Sequence, residues 1–320
     1  MELPPPLRQA VDAALNSVTL ADLTRAAATL SQRYRAEVQD GRFHLPDDMA
    51  ARAYLATRLP ATYAAVRASL DAVAQVRPDF APRTVLDVGA GPGTALWAAA
   101  GRWPSLEEAV LVEGSSAIRA WGERLTARAP LARVEWRAGD VAQELPELAP
   151  RDLVTLAYVL GELVPEARER LVDRLWSLTA DTLVIVEPGT PAGWTRILSV
   201  RARLVTAGAH LLAPCPHAVT CPLASPDWCH FSRRVARSRL HRQAKGAEVP
   251  WEDEKYSYIA ASRRAGVSPE ARVLAPPRAR RGLVSLKLCV EDGAAEERLL
   301  SKRDGASFRA ARRLSWGDTL

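Results

Sequence analysis

The stretch RTVLDVGAGPGTALWAAA, residues 83–100, decides the fold, because an apolar segment runs through a glycine-rich turn into an alanine-rich segment. This order is typical of the opening of a nucleotide-binding βαβ unit. Gly89, Gly91 and Gly93 permit a tight turn and a close approach of the backbone to a ligand, and the helix that follows presents unpaired amide groups. We therefore expect a ligand-binding turn between a strand and a helix.

Further apolar segments continue the pattern. The segment AVLVEGS contains a second strand that ends in Glu113, 20 residues after Gly93. An acidic side chain at this position can accept hydrogen bonds from both hydroxyls of a ribose. RVEWRAGDV ends a third strand at Asp140, and DLVTLAYVLGEL and TLVIVEPGTPAGW supply a fourth and a fifth. Helices near 116–128 and 165–179 alternate with them, so the sequence predicts a parallel sheet covered on both faces.

The segment before this pattern is alanine-rich and has helical periodicity over residues 6–40 and 47–77. The stretch DGRFHLPDD separates the two parts, and Asp47 is suited to cap the second. The proline within YLATRLPATYAAV predicts a kinked helix that packs on the next domain, and we favour this interpretation over a catalytic role. The residues it concerns are Arg58, Pro60 and Tyr63.

The composition suits a folded protein, because 320 residues with 48% hydrophobic and 25% charged content can form one large domain or two smaller ones. The amino-terminal residues contain no apolar run long enough for a signal sequence, and no segment approaches the roughly 20 apolar residues of a membrane span. We therefore expect a cytoplasmic protein without a membrane partner. In a reducing cytosol its cysteines are not expected to form disulfides.

Positive charge is concentrated towards the carboxyl-terminal end. Residues 228–320 carry 20 Lys and Arg against 11 Asp and Glu, whereas residues 1–227 carry 23 against 26. Such asymmetry indicates contact with a polyanion such as nucleic acid, and an arginine-rich solvated surface is the alternative. Charge alone does not distinguish RNA from DNA.

The central motifs resemble those of class I S-adenosylmethionine-dependent methyltransferases over about residues 83–190. The features that carry the resemblance are LDVGAGPGT, with Asp87 before the glycines, and the acidic residues after strands two and three. An NAD-binding fold is the rival, but its usual turn spaces the glycines differently. The resemblance implies that the glycine loop holds the amino acid part of S-adenosylmethionine, that Glu113 binds its ribose and that Asp140 lies beside its adenine.

No signature for methyl transfer is evident. The segment LAYVLGEL lacks the Asn or Asp followed by two prolines and an aromatic residue that amino-methylating enzymes carry after strand four, and no cysteine is placed there to attack a cytosine. We therefore assign no catalytic residue. Tyr158 and Glu162 are candidates for contact with a substrate, although a role in a helix-capping turn is the favoured alternative.

Four cysteines in the last third of the chain indicate a metal site. Cys215, Cys221 and Cys229 fall within CPHAVTCPLASPDWCH, and Cys289 follows alone in LVSLKLCVEDG. Their gaps exceed the two to four residues typical of structural zinc, yet zinc remains an alternative. Four protein ligands would make the site structural or regulatory, since no position stays open for a substrate. The flanking histidines that could replace one thiolate are His217 and His230.

Several separated motifs carry a closer resemblance: CPHAVTCPLASPDWCHFSRR, EKYSYIAASR, ARRLSWGD, YLATRLPATYAAV, VLGELVP and VIVEPGTPAGW. From about residue 45 onward the chain resembles methyltransferase-like assembly proteins of the small ribosomal subunit, known from mitochondria and with bacterial relatives. This resemblance implies a [4Fe-4S] cluster on the four cysteines and association with the small subunit or its rRNA. It leaves open whether the chain is an active rRNA methyltransferase or a binding protein that keeps the cofactor fold without turnover, and we favour the second.

The tract FSRRVARSRLHRQAKG, residues 231–246, contains six basic side chains and no carboxylate. We expect it to bind rRNA phosphates, and we expect the metal site to order it. Its basic residues are Arg233, Arg234, Arg237, Arg239, Arg242 and Lys245. Trp228 and Trp251 are suited either to stacking on bases or to packing, and packing is the favoured interpretation.

The expected fold class is α/β, with three parts along the chain. A helical region spans residues 1–80, a Rossmann-like S-adenosylmethionine-binding domain spans residues 81–200, and a metal module with a basic surface spans residues 201–320. LVSLKLCV and ERLLSKRDG are expected to pair as strands around EDGAAE, which puts Cys289 on a small antiparallel sheet.

Overall fold

The structure, a computed structural model, describes residues 1–37, 40 and 43–320. The predicted helical stretch 6–40 and the DGRFHLPDD break extend over residues 38, 39, 41 and 42, which lie outside the described residues. The two predicted stretches contain four helices: α1 (Pro5–Leu15), α2 (Leu20–Arg35), α3 (Asp48–Thr57) and α4 (Leu59–Val76).

Side-chain caps and a proline set the ends of these helices. Thr19 and Asp47 accept hydrogen bonds from the first turns of α2 and α3, which confirms the cap predicted at Asp47. Helices α3 and α4 meet at Arg58, and Pro60 stands in the first turn of α4, where its missing amide costs no helical hydrogen bond. The predicted kink is therefore a junction between two helices. Tyr63 is buried on α4, as expected for packing.

The predicted parallel sheet is confirmed. Five strands pair in the order β3-β2-β1-β4-β5, all parallel, and helices follow β1, β2, β4 and β5, whereas a loop connects β3 to β4. The strands are β1 (Thr84–Val88), β2 (Glu108–Glu113), β3 (Arg133–Ala138), β4 (Arg151–Ala157) and β5 (Thr179–Pro188). The helices are α5 (Thr94–Arg102), α6 (Ser116–Thr126), α7 (Pro165–Ser177) and α8 (Pro191–Thr206).

The main sheet continues past residue 200. It gains β6 (His210–Ala213), β7 (Phe231–Ala236) and β8 (Trp251–Ser262), with helix α9 (Arg239–Lys245) between the last two. Strand β8 runs antiparallel to β5, and its other edge pairs first with β7 and then with β6. The division expected at residue 200 therefore does not coincide with the end of the sheet, because the buried carboxyl-terminal half of β8 covers the edge of β5.

A second, four-stranded sheet follows and has its own small hydrophobic core. It consists of β9 (Ala271–Val273), β10 (Arg278–Arg280), β11 (Leu283–Val290) and β12 (Ala295–Ser301), with helix α10 (Gly305–Ala311) packed on it. Strands β11 and β12 form the predicted antiparallel pair, and Cys289 lies on β11 opposite Arg272 of β9. The antiparallel sheet expected around Cys289 is confirmed.

Within the described part of the chain, no helix is both long enough and apolar enough to cross a bilayer.

Candidate cofactor pocket and cysteine cavity

The glycine turn after β1 has the backbone conformation that the sequence requires. Gly89, Gly91 and Gly93 have φ angles of 64°, 54° and 78°, which side-chain-bearing residues rarely adopt. A Cβ atom on Gly89 would lie 2.5 Å from a methyl group of Val159, whereas one on Gly91 would meet none of the described atoms within 4 Å. The space over Gly91 is thus open on the side that faces the pocket.

This pocket lies between the glycine turn, the ends of β2 and β4, and the amino-terminal helical region. The described residues that line it include three tyrosines, one phenylalanine, one histidine and two glutamates, but no lysine or arginine. The helical region supplies part of the wall, which the sequence did not indicate. Its contributions are Tyr34, Phe43, His44, Leu45 and Tyr54.

Glu113, the predicted ribose ligand, lines the pocket and accepts hydrogen bonds from the backbone around it. One carboxylate oxygen accepts a hydrogen bond of 2.8 Å from the Gly91 amide, and the other accepts one of 2.8 Å from the Ser115 amide. Burial raises the pKa of Glu113, and these backbone donors oppose the rise. The carboxylate is therefore tied to the glycine turn, and binding of a ribose stays a prediction.

The other two predicted acidic residues occupy different positions. Asp87 is 2% exposed beneath the turn, accepts a 2.7 Å hydrogen bond from Thr155 and leaves its Oδ2 without a partner. Burial raises its pKa to about 7. Asp140 accepts a hydrogen bond from the Ala142 amide, and its neighbour Val141 lines the pocket wall. The expected contact of Asp140 with adenine stays a prediction.

Tyr158, at the end of β4, lines the same pocket in a strained backbone conformation with φ of 61°. Its hydroxyl donates a 2.8 Å hydrogen bond to Glu254 of β8. The Arg58 guanidinium lies 3.7 Å from that carboxylate and 5.9 Å from the Tyr158 ring centre. Arg58, for which packing alone was favoured, thus contacts a residue of the pocket wall.

Glu162, the other candidate, also lines the pocket. Burial raises its pKa to about 8, and the nearby Glu113 carboxylate adds to the shift. The folded protein consequently binds a proton at Glu162 over a pH range in which the unfolded chain releases it. A cationic ligand would favour the ionised form of this carboxyl group.

The shifted pKa of Glu162 makes stability depend on pH. Because the folded state holds the proton more tightly, the free energy of unfolding should decrease as pH rises from the ordinary value near 4.5 towards 8. We expect Glu162→Gln to lose less thermal stability than the wild type between pH 6 and 9. Melting curves measure this, with Glu166→Gln on the exposed first turn of α7 as control. Identical pH profiles for all three proteins would contradict the assignment.

A buried ion pair, which was not predicted from the sequence, supports the turn that carries Glu162. Glu187, at the end of β5, is 0% exposed and accepts hydrogen bonds from the Leu160 amide and from Arg196. Arg196 also pairs with Glu37. The strand-ending glutamate in VIVEPG was the only signal in the sequence for this arrangement.

The four cysteines, which come from distant parts of the chain, line one cavity between the main sheet and the second sheet. All four are free thiols. His217 lines the cavity too, with its Nε2 3.2 Å from the Cys289 sulfur. His230 instead stacks on Trp228, with ring centres 4.8 Å apart, and is not part of the lining. The predicted gathering of the cysteines is thus observed, and the histidine that joins them is His217.

The cysteines do not form a ready metal site. Among the described residues, no group of three or more His, Cys, Asp or Glu side chains is arranged to hold a metal ion. Burial raises the pKa of the Cys289 thiol to about 12, and the neighbouring thiols add to the shift. Burial also raises the pKa values of Cys215 and Cys229. Burial therefore favours the protonated form of these three thiols.

Carboxylates of β8 pair with half of the basic side chains that were expected to bind rRNA, and binding of rRNA by the tract stays a prediction. Asp253 pairs with Arg234, and Glu252 pairs with both Arg237 and Lys245. The tract itself contains no carboxylate, so only the adjacent strand reveals this. Within the described residues, the basic side chains of the tract that make no ion pair are Arg233, Arg239 and Arg242.

The two tryptophans near the tract differ in their surroundings. Trp228 donates a 3.0 Å hydrogen bond to the Gly189 carbonyl, as expected for a packed side chain. Trp251 is 41% exposed, and the Arg234 guanidinium lies 5.4 Å from its ring centre. The preferred packing interpretation thus holds for Trp228 and is wrong for Trp251, since the amino-terminal end of β8 projects from the buried part of the sheet.

Together, the five parallel strands, the antiparallel β8 beside β5 and the glycine turn after β1 define a protein with the class I methyltransferase fold. Residues 48–320 match the model of the family described as mitochondrial small ribosomal subunit Rsm22. The chain belongs to this family.

Two relatives illustrate the similarity. The human mitochondrial ribosome assembly protein METTL17 is 32% identical over 288 residues, which cover 83% of this chain and 61% of the human protein. The mitochondrial Rsm22-cox11 tandem protein 2 of Schizosaccharomyces pombe is 24% identical over 358 residues, which cover 93% of this chain and 46% of that protein. The chain thus spans less than two thirds of the length of either relative.

Similar solved structures include two methyltransferases. The magnesium protoporphyrin IX methyltransferase of Synechocystis with bound S-adenosylmethionine shares 14% identity at a TM-score of 0.40, with coverage of 78% of this chain and 100% of that one. An O-methyltransferase family protein from Burkholderia thailandensis shares 15% identity at a TM-score of 0.45, with coverage of 77% and 71%.

Proposed function

We propose that this protein binds S-adenosylmethionine and a [4Fe-4S] cluster and acts in assembly of the small ribosomal subunit by binding rRNA. The observation that carries the proposal is the family match over residues 48–320, which includes all four cysteines of the cavity. Methyl transfer is not required for this role, so the cofactor fold serves as a binding platform.

The pocket around Gly91 fits S-adenosylmethionine in its chemistry. The turn leaves open space where the backbone can approach a ligand closely, and the acidic, aromatic lining suits a ligand that carries a sulfonium and an ammonium group. Glu113 and Glu162 would attract these positive groups, while Tyr34 and Tyr54 would exclude water from them. When bound, the cofactor supplies a methyl group that can be transferred.

The donor set of the cysteine cavity suits an iron–sulfur cluster. Four free thiols line the cavity, and thiolates are the ligands that such clusters prefer. The residues that would hold it are Cys215, Cys221, Cys229 and Cys289. Such a cluster would join the two sheets.

The surface next to the cluster site supports RNA as the partner. Strand β7 begins two residues after Cys229, and Ser257 of β8 donates a 2.8 Å hydrogen bond to the Cys229 carbonyl. The cluster would therefore fix the position of the strand that begins the basic tract. Three basic side chains without carboxylate partners remain to bind phosphates.

Replacement of Arg233, Arg239 and Arg242 by glutamine should weaken binding to small-subunit rRNA and reduce its dependence on salt. For about three phosphate contacts, the slope of log K against log salt should fall by about 2. Filter binding or anisotropy over a salt series measures this.

The matched control removes the same charge from another surface. Arg128, Arg170 and Arg174 are exposed, and they lie in the part of the chain with a net negative charge. Their replacement by glutamine should leave the slope unchanged. If both triple variants lose affinity equally, the basic tract is not the RNA site.

A catalytically active rRNA methyltransferase is the second candidate. It is favoured by Tyr158, a strained residue at the end of β4 whose side chain lines the cofactor pocket. Incubation of the protein with immature small subunits and labelled S-adenosylmethionine distinguishes the two. Transfer of label to rRNA would establish catalysis, and bound but untransferred label would support the binding role.

A further inference from the structure

Two buried arginines line the cysteine cavity and have no anionic partner in the described residues. Arg201 is 6% exposed and Arg272 is 1% exposed. The third buried arginine nearby, Arg196, differs because two glutamates neutralise it. A buried cation without a counter-ion is strongly unfavourable, so these two charges indicate an anion that belongs in the cavity.

Arg272 is held rigidly at the cavity wall. Its Nε donates a 2.9 Å hydrogen bond to the Pro214 carbonyl, and its Nη1 donates one of 2.8 Å to the Gly317 carbonyl. The remaining nitrogen, Nη2, is buried and has no hydrogen-bond partner among the described residues. Because Pro214 precedes Cys215 and Arg272 lies opposite Cys289 in the second sheet, this side chain stands between two of the cysteine segments.

Arg201 approaches the cavity from helix α8, which packs against the main sheet. Its Nη2 donates to the carbonyls of His217 and Val219, at 2.9 and 2.6 Å. Its Nε lies 3.4 Å from the Cys215 sulfur, within the range of a hydrogen bond to sulfur. The two carbonyl contacts fix the loop between Cys215 and Cys221, so Arg201 both shapes the loop and presents positive charge to a ligand sulfur.

We infer that Arg201 and Arg272 are positioning residues for an anionic thiolate-bound cluster: they neutralise its charge, and Arg272 Nη2 donates a hydrogen bond to one of its sulfur atoms. This inference rests on the proposed cluster. Four thiolates leave a bound cluster with net negative charge. The two guanidinium groups offset it, and they are the only lysine or arginine side chains among the described residues that line the cavity. The arrangement also favours the reduced cluster, because reduction adds a further negative charge.

The test is a redox titration of the anaerobically purified full-length protein, followed by EPR and visible absorption, with iron and sulfide analysis. Arg272→Gln and Arg201→Gln should each shift the cluster to a more negative potential. A reduction equilibrium about tenfold less favourable corresponds to about 59 mV for a one-electron couple. Arg272→Lys keeps the charge but loses the forked geometry, so it should shift the potential less than Arg272→Gln. This variant also provides the test if Arg272→Gln does not fold.

Arg263→Gln is the matched control, since Arg263 also donates to two backbone carbonyls but is exposed and lies over Trp176, outside the cavity lining. It should leave the potential unchanged. A cluster with wild-type potential and stability in both cavity variants would overturn the role of the arginines alone. Absence of iron and sulfide from the wild type would instead overturn the proposed cluster.

Discussion

Cys289→Ser is expected to reduce the iron and sulfide content of the anaerobically purified protein at least about tenfold. Cys289 is the only ligand candidate from the second sheet, and the other three come from the loop between β6 and β7. A serine hydroxyl is a poor ligand for iron compared with a thiolate. The variant should therefore lose the occupant of the cavity.

Loss of the cluster should also loosen the second sheet. Because metal binding and folding are coupled, a ligand set that joins two sheets adds its binding free energy to their association. We expect limited proteolysis to cut the Cys289→Ser variant within residues 271–320 faster than the wild type, whereas the main sheet stays resistant. The main sheet has a large hydrophobic core of its own.

Ser285→Ala on the same strand is the control, since it alters a partly buried side chain of β11 without touching the cavity lining. It should keep its iron. Metal analysis also separates iron from zinc, which remains the alternative for the cavity. Retention of the full iron content by Cys289→Ser would contradict the four-cysteine ligand set.

Gly91→Ala should weaken binding of S-adenosylmethionine about a hundredfold, which corresponds to ~2.8 kcal/mol. The added methyl group would meet no atom of the described residues within 4 Å and would occupy the space over the turn. A ligand that approaches this backbone closely would collide with the methyl group. Isothermal titration calorimetry measures the dissociation constant.

Gly208→Ala separates this collision from backbone strain. Gly208 also has a positive φ, 77° against 54° for Gly91, and a Cβ there would likewise meet nothing within 4 Å. Both substitutions should therefore cost similar folding stability, on the order of 1 kcal/mol. Equal affinities for S-adenosylmethionine in the two variants would show that the cofactor does not bind over the glycine turn.

Local patterns in the sequence were sufficient to predict the parallel sheet and the glycine turn. Alternating apolar segments and helices predict parallel strands because each segment must bury its own apolar face, whatever its neighbours are. The positive φ angles at Gly89, Gly91 and Gly93 follow from residue type in the same way. The strand pair that carries Cys289 was also predictable from its turn residues.

Contacts between distant residues were not predictable in this way. Glu252 pairs with Arg237 and Lys245 because strand β8 lies beside β7. The charge pattern of the tract by itself therefore indicates more unpaired positive charge than the folded protein has. The sheet likewise continues past residue 200 because β8 adds to the edge of β5, a pairing for which the composition of either strand holds no signal.

The order of residues alone thus determined the fold class, the ligand-binding turn and the set of four cysteines, since these follow from local periodicity, backbone freedom and side-chain chemistry. Only the tertiary structure decided that the helical region forms a wall of the cofactor pocket, that half of the basic tract is neutralised, and that Arg201 and Arg272 face the cysteines. The physical reason is that cavities and ion pairs are made by side chains brought together from distant positions, and their energies depend on burial that no single segment specifies.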